Sequence, residues 1–285
     1  MDLGIESIRK RISVRSFDGK PVTDADRRAL EAAFAEAVPG PFGRKPRFAL
    51  AGGSAAGIGS GKIGTYGIIS GAESFIIGAV EKGELACVDF GYALEGIILR
   101  ATELGLGTCW IGGIFDRGKM LKLLEAPKGW FAPAITPVGR AADERSGRDQ
   151  LIRRSAGSDG RKAQSELFFA AGQGGVWEPL ADAGAWAPIL EAVRIGPSAS
   201  NKQPWRLVLD RREGAGRLHL VMQEDRFYNN MLGATKLQEL DMGIAMRHVE
   251  VAAAAGGMKG AWRRLEASPV ELEGTRKYIA SWVAG

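Results

Sequence analysis

Arg11, Ser13 and Arg15 occupy every second position of the stretch KRISVRSF (10–17). In an extended segment alternate side chains share one side, so these three would point together. Two planar guanidiniums of fixed charge flanking a hydroxyl suit a phosphate group. A second concentration lies late in the chain. Pro197, Ser198, Ala199, Ser200, Asn201 and Gln203 crowd the stretch IGPSASNKQPWRLVL (195–209), where turn-forming residues feed an apolar, strand-like tail. Hydroxyl and amide side chains in such a turn can bond either backbone or ligand. Acid–base and nucleophilic machinery is not evident. His219 alternates with apolar neighbours in an expected strand and His248 falls on an expected long helix, so both read as structural. Cys87 and Cys109 lack CxxC spacing and lie far from either histidine, which argues against a zinc site or a disulfide framework. No side chain is therefore assigned a catalytic role, and no metal is expected.

The elements that must position these groups come in two sets. With an offset of 158, EAVPGPFGRKPRFAL (36–50) lies on RIGPSASNKQPWRLV (194–208), placing Pro39 on Pro197 and Pro46 on Pro204. With an offset of 152, DFGYALEGIILRATELGLGTCW (89–110) lies on DMGIAMRHVEVAAAAGGMKGAW (241–262), so that Asp89, Gly91, Ala93 and Trp110 face Asp241, Gly243, Ala245 and Trp262. A six-residue deletion reconciles the offsets, and the pattern reads as a diverged internal duplication. Each half reads as a helix, strands, a long apolar helix and a closing strand. Helical spacing is expected over 24–37, strands over RFALAG (47–52) and SFIIGAV (74–80), and a long buried helix over 89–105. APAITPVG (132–139) closes the first unit as a strand. In the second, WRLVLD and RLHLVMQ flank the hairpin signal RREGAG, a helix is expected over 241–256, and KYIASWVAG ends the unit. The charged, Gly/Ser-rich stretch 141–164 reads as the connection.

The two halves have lost different things. Where the first has Arg11, Ser13 and Arg15, the second has Phe169, Ala171 and Gln173; where the second has PSASN, the first has PGPFG. A single composite site, using the anion motif of one half and the turn of the other, accounts for the complementary losses.

Composition narrows the classes. The chain has 285 residues, 45% hydrophobic and 25% charged, which describes a folded globular protein of about two domains. Its net charge of +5 comes from scattered Lys and Arg without interleaved aromatics, so a pocket for a small anion is expected rather than a nucleic-acid surface. The first residues lack a secretory apolar run, and the most apolar window, 89–107, carries Glu95, Arg100 and Glu103. A cytoplasmic protein without membrane spans is expected.

With these motifs in view the chain resembles the FMN-dependent nitroreductase superfamily, in the branch where two family units are fused. RISVRSF, PSASNKQPWRLVL, DFGYALEGIILRATELGLGTCWIGG and ITPVGR carry the resemblance over nearly the whole chain. It implies an α+β, three-layer fold with mixed, mainly antiparallel sheets and long buried helices, internally duplicated as a pseudo-dimer: residues 1–164 with the phosphate motif and flavin loop, residues 165–285 with the PSASN turn. Arg11, Ser13 and Arg15 would hold the FMN phosphate. Pro197, Ser198, Ala199 and Asn201 would line the flavin, with Gln203 orienting the turn. The backbone of Ile111, Gly112 and Gly113 would approach the ring, Trp110 would shape the pocket, and either Arg140 or Arg161 would complete the phosphate site. The activity implied is NAD(P)H-driven reduction of a nitroaromatic, quinone or similar small-molecule acceptor by hydride transfer through flavin N5, in a monomer acting as a pseudo-dimer. Alternatives within the resemblance are a flavin carrier or sensor without turnover and a flavin-dependent dehydrogenase or dehalogenase.

Overall fold

The structure, a computed structural model, describes residues 3–52, 69–113, 115–143, 160–212, 216–225 and 235–285. Thr23 starts α2 (Asp24–Ala35) by accepting a hydrogen bond from the Asp26 N–H on its hydroxyl. The run Arg47–Gly52 forms β1 and pairs antiparallel with β2 (Ser74–Glu81). β2 is buried on both faces, and its continuous apolar sequence is what such a strand needs. On its other side β2 meets β5 (Ile135–Gly139), which pairs with β3 (Gly107–Thr108); short β4 (Trp130–Phe131) pairs with the end of β2. All these pairs are antiparallel. They form sheet one.

Sheet two has the order β10 (Gly260–Arg263), β11 (Arg276–Ala284), β9 (Arg217–Gln223), β8 (Trp205–Asp210), β6 (Phe168–Ala171), β7 (Trp177–Pro179). Its β6–β8 pair is parallel and the others antiparallel. Between the sheets lie two long helices, α3 (Ala86–Glu103) and α7 (Leu237–Ala255), packed on each other, with α3 against β2 and β3 and α7 against β8, β9 and β10. The result is the expected α+β arrangement of sheet, helix pair and sheet. Among the described residues no helix is long and apolar enough to cross a membrane.

The helix seam is set by glycine. A Cβ on Gly91 would lie 2.3 Å from the Leu240 carbonyl oxygen, and one on Gly243 would lie 2.1 Å from that of Val88. Removing both side chains lets the backbones touch. Leu94, Ile97, Ile98 and Leu99 are essentially inaccessible to solvent, each burial contributing about 2 kcal/mol. Short α1 (Ile5–Lys10) crosses to the other side of the molecule, packing on α7 and on α6 (Ala187–Arg194) as well as on α3. Leu3 and Ile8 consequently share a core cluster with Leu190, Val193, Met246 and Trp282.

Several boundaries differ from expectation. Both long helices begin earlier, at Ala86 and Leu237, because Ala86–Val88 and Leu237–Leu240 extend the buried faces N-terminal to Asp89 and Asp241. The strand in APAITPVG starts only at Ile135. The connection ends where α5 (Gln164–Leu167) begins, and most of it, 144–159, lies outside the described residues, as do 213–215 of the hairpin signal. Helix α4 (Arg117–Leu123), with Asp116 as its N-cap, and helix α6 carry too few periodic residues to stand out in sequence.

Candidate functional site

The RxSxR stretch is extended and lies along sheet one. Ser13 bridges Thr108 in parallel, the Val14 N–H donates to the Thr108 carbonyl at 2.8 Å, and the Arg15 carbonyl accepts from Ser70. Val14 faces the sheet, where a Cβ on Gly107 would strike it at 2.7 Å. Arg11, Ser13 and Arg15 alternate with it, as the spacing predicts. Arg11 closes the C-terminal end of α1 and is only 8% exposed. A guanidinium held there, without bulk water around it, interacts strongly with an anion.

Thr108 leads directly into the loop Cys109–Gly113. Ile111 departs from expectation: its N–H donates to the Ile135 carbonyl and its carbonyl accepts from the Ile135 N–H, so its backbone groups are consumed by sheet one. The carbonyls of Gly112 and Gly113 accept from the Arg117 guanidinium at 2.6 and 3.3 Å. The N–H groups of Gly112 and Gly113 find no acceptor among the described residues, and a Cβ on Gly113 would meet nothing within 4 Å. The loop thus presents two backbone donors beside open space at Gly113. A Cβ on Gly112, by contrast, would meet Leu237 of α7 at 2.4 Å, so the loop rests on the helix of the other half.

The turn at 197–203 rests on the same helix. The Ala199 N–H donates to Asp241 Oδ1 at 3.0 Å, and the Gln203 N–H donates to the Ser198 hydroxyl at 2.9 Å. Ser200, Asn201 and Gln203 all have positive φ (48°, 53° and 49°). Three non-glycine residues in the left-handed region store strain, which concentrates at functional sites. Gln203 fastens the turn: its amide donates to the Asn201 carbonyl and side-chain oxygen, and its Oε1 accepts from the Lys162 N–H. Asn201 donates to the Gly160 carbonyl at 2.9 Å. Arg161 donates to the Asn201 side-chain oxygen at 3.4 Å and to the Ile195 carbonyl at 3.2 Å. Asp241 is 2% exposed and its Oδ2 has no hydrogen-bond partner among the described residues; burial, opposed by the Ala199 N–H, pushes its pKa up to about 8.

Loop and turn share one packing environment. Trp110 from the loop and Ala199 from the turn both lie on the cluster that contains Leu94, Ile97, Leu237 and Leu240. A continuous path runs from Ser13 through Thr108 to Trp110, across Leu237 and Leu240, to Asp241 and Ala199. Arg140 sits elsewhere, donating to the Leu104 and Gly105 carbonyls at the end of α3 and pairing with Asp26 at 3.1 Å. Arg117 and Lys162 carry no sequence signal for the site, and Asp241 only that of the repeat, because their contacts to loop and turn depend on long-range packing. Glu95 and His248 also emerge here: Glu95 accepts from the Trp110 indole N–H at 2.9 Å and meets the His248 ring at 2.9 Å.

One arrangement imitates a hydrolase. His219 meets Ser281 at 2.7 Å and Asp210 at 3.5 Å. Ser281 and His219 are wholly buried, Ser281 is also bonded to Tyr278, and Asp210 pairs with Arg212 at 2.7 Å. Burial lowers the His219 pKa, and Arg212 holds the Asp210 carboxyl well below the usual carboxylate range. It is an internal polar network of sheet two with no substrate access.

A model of the family described as "Putative TM nitroreductase" matches residues 4–253. The crystal structure of a "putative nitroreductase" from Thermotoga maritima superposes with a TM-score of 0.58 at 17% identity, covering 100% of this chain and 94% of that one. The nitroreductase with bound FMN from Bacteroides fragilis gives a TM-score of 0.39 at 22% identity, covering 50% of this chain and 90% of its own. The FMN-dependent nitroreductase from Clostridium difficile gives 0.39 at 20%, covering 53% and 95%. A search of curated proteins finds no match.

Proposed function

From the premise that this chain belongs to the nitroreductase family, and is thereby an oxidoreductase, we propose that it binds one FMN in a composite site and uses NAD(P)H to reduce a nitroaromatic, quinone or similar small acceptor. The observation that carries the reading is the meeting of the glycine loop and the strained turn on one helix, α7, beside the RxSxR segment. Bound FMN would supply the redox centre, taking up a hydride from NAD(P)H and passing electrons to the acceptor. The protein's part is to hold and orient. Arg11, Ser13 and Arg15 bind the phosphate by charge-assisted hydrogen bonds. Gly112 and Gly113 offer their N–H groups to the ring edge. Pro197, Ser198 and Ala199 cover a ring face, while Asn201 and Gln203 fix the turn. Trp110 walls the pocket. Arg161, already bonded to Asn201, is the third basic residue of the site, while Arg140 is engaged by the Leu104 and Gly105 carbonyls and by Asp26.

The same reading makes residues 1–164 and 165–285 two ancestral units fused into one working pair, acting as a monomer. Its support is the correspondence of Asp89 with Asp241 and of Gly91 with Gly243, in matching roles on α3 and α7. The test is the absorption spectrum and released-flavin ratio of protein prepared with and without added FMN, followed by NAD(P)H oxidation over a panel of acceptors. One FMN per chain and acceptor-dependent turnover are expected. Absence of flavin after soaking overturns the reading, and FMN without turnover on any acceptor leaves a flavin carrier.

A further inference from the structure

Glu95 of α3 and His248 of α7 are both 0% exposed, in the seam where the two long helices meet. A lone charge there would be costly, yet every polar atom of this pair is engaged. Glu95 divides its two oxygens: Oε2 accepts from the Trp110 indole N–H at 2.9 Å, and Oε1 meets His248 Nε2 at 2.9 Å. His248 divides its nitrogens likewise. Its Nδ1 lies 2.8 Å from the Ala192 carbonyl, which can only accept, so Nδ1 carries a hydrogen. The remaining proton of the pair sits between Nε2 and Oε1.

The ends of this chain of hydrogen bonds are informative. Trp110 immediately precedes Ile111–Gly113, the proposed ring-binding loop. At the other end the His248 ring lies under Gly196, where an added Cβ would come 3.2 Å from Nδ1; Gly196 immediately precedes Pro197 and the turn. Ala192 belongs to α6, whose last residue is two positions before Gly196. The wire therefore runs from one wall of the proposed pocket to the other.

We infer that Glu95 and His248 are positioning residues that fix the separation of the 110–113 loop and the 196–203 turn, so that the gap between them admits a flat ring. The inference rests on the composite-site reading above. Neither residue touches the ring; they act through Trp110 and Gly196. Three directional hydrogen bonds in a dry seam leave one arrangement of donors and acceptors. Gln in place of Glu95 preserves it, accepting from Trp110 on its oxygen and donating to a neutral His248 through its amide. Leu in place of Glu95, or Phe in place of His248, cannot.

The test is FMN affinity, by quenching of flavin fluorescence, in the full chain. Relative to wild type, Glu95→Leu and His248→Phe are expected to weaken binding at least tenfold, and Glu95→Gln less than threefold. Tyr92→Phe removes a different polar contact of the seam, that of the Tyr92 hydroxyl with Glu250, and is expected to leave affinity within twofold. A cycle of Trp110→Phe with Glu95→Leu is expected to be non-additive, the double variant losing no more than the worse single one. Where Glu95→Leu does not give folded protein, His248→Gln, able to reach only one of its two partners, replaces it in the cycle. Equal affinities for Glu95→Leu and Tyr92→Phe, failure of Gln to rescue, or an additive cycle would overturn the positioning role while leaving the flavin site standing. Wild-type protein that binds no FMN removes the site itself, and the inference with it.

Discussion

Residues 39–46 and 197–204 stand at the same offset in the two halves, and each is held from below by an aspartate on a long helix. Asp89 accepts from both the Phe42 and the Arg44 N–H, at 2.8 and 2.9 Å, whereas among the described residues Asp241 accepts from Ala199 alone. Gly43 takes the left-handed conformation in the first loop, with φ of 90°; its counterpart Asn201 takes it with φ of 53°, flanked by Ser200 and close to Gln203 in the same region. One loop is relaxed by glycine and has both aspartate oxygens satisfied. The other keeps polar side chains in strained backbone over a carboxyl whose second oxygen has no partner among the described residues. On the composite-site reading the second state serves the ligand, and the first serves the fold.

The contrast can be broken at several levels. The largest effect is expected from Arg11→Ala with Arg15→Ala: two charge-assisted bonds at about 1.5–3 kcal/mol each make a loss of more than a hundredfold in FMN affinity, read as flavin-free protein with an unchanged circular dichroism spectrum. Full flavin content in that variant would sink the anion site. Next, Gly91→Ala and Gly243→Ala, each forcing a methyl into the opposite backbone, are expected to cost about 3 kcal/mol apiece in urea unfolding. A cost at only one position would contradict the symmetry of the seam. Asn201→Ala is expected to weaken FMN binding about tenfold, roughly 1.4 kcal/mol, while Gly43→Ala costs about 1 kcal/mol of stability and leaves flavin binding alone; equal flavin titrations would refute the division of labour. A pH-dependent effect separates the two aspartates. Asp241 has its pKa raised to about 8, against about 3.9 when unfolded, so its contribution to stability is present below that lower value and is lost as pH climbs toward 8. Asp241→Asn is therefore expected to gain on wild type between pH 4 and 8, and Asp89→Asn, deprived of one acceptor for Phe42 or Arg44, to lose about 1 kcal/mol. Melting temperatures across that range decide; shifts of the same sign in both variants would erase the difference.

What was legible in sequence followed the strength of local pattern. Phe75–Val80 and the apolar stripe of α3 announce themselves because burial on nearly all sides leaves no room for polar residues. The alternation of Arg11, Ser13 and Arg15 likewise foretold an extended segment. Other features depend on partners remote in the chain. Ile111 gave no hint that its N–H would be claimed by Ile135, and Arg117 none that it would grip the loop carbonyls. Glu95 and His248, read singly, were a helix glutamate and a structural histidine. Their pairing appears only once α3 and α7 are laid together.

The route of α1 has a consequence for how the chain is made. Leu3 and Ile8 share one core cluster with Leu190, Val193 and Met246, which are synthesised much later, and the Gly91 face of α3 closes on α7. At typical elongation rates the stretch separating α3 from α7 takes on the order of ten seconds to synthesise. Throughout that interval the nascent chain carries an uncovered apolar helix. Biosynthesis therefore favours whatever shields α3 until Leu237–Ala255 arrives, its cover following on the same polypeptide.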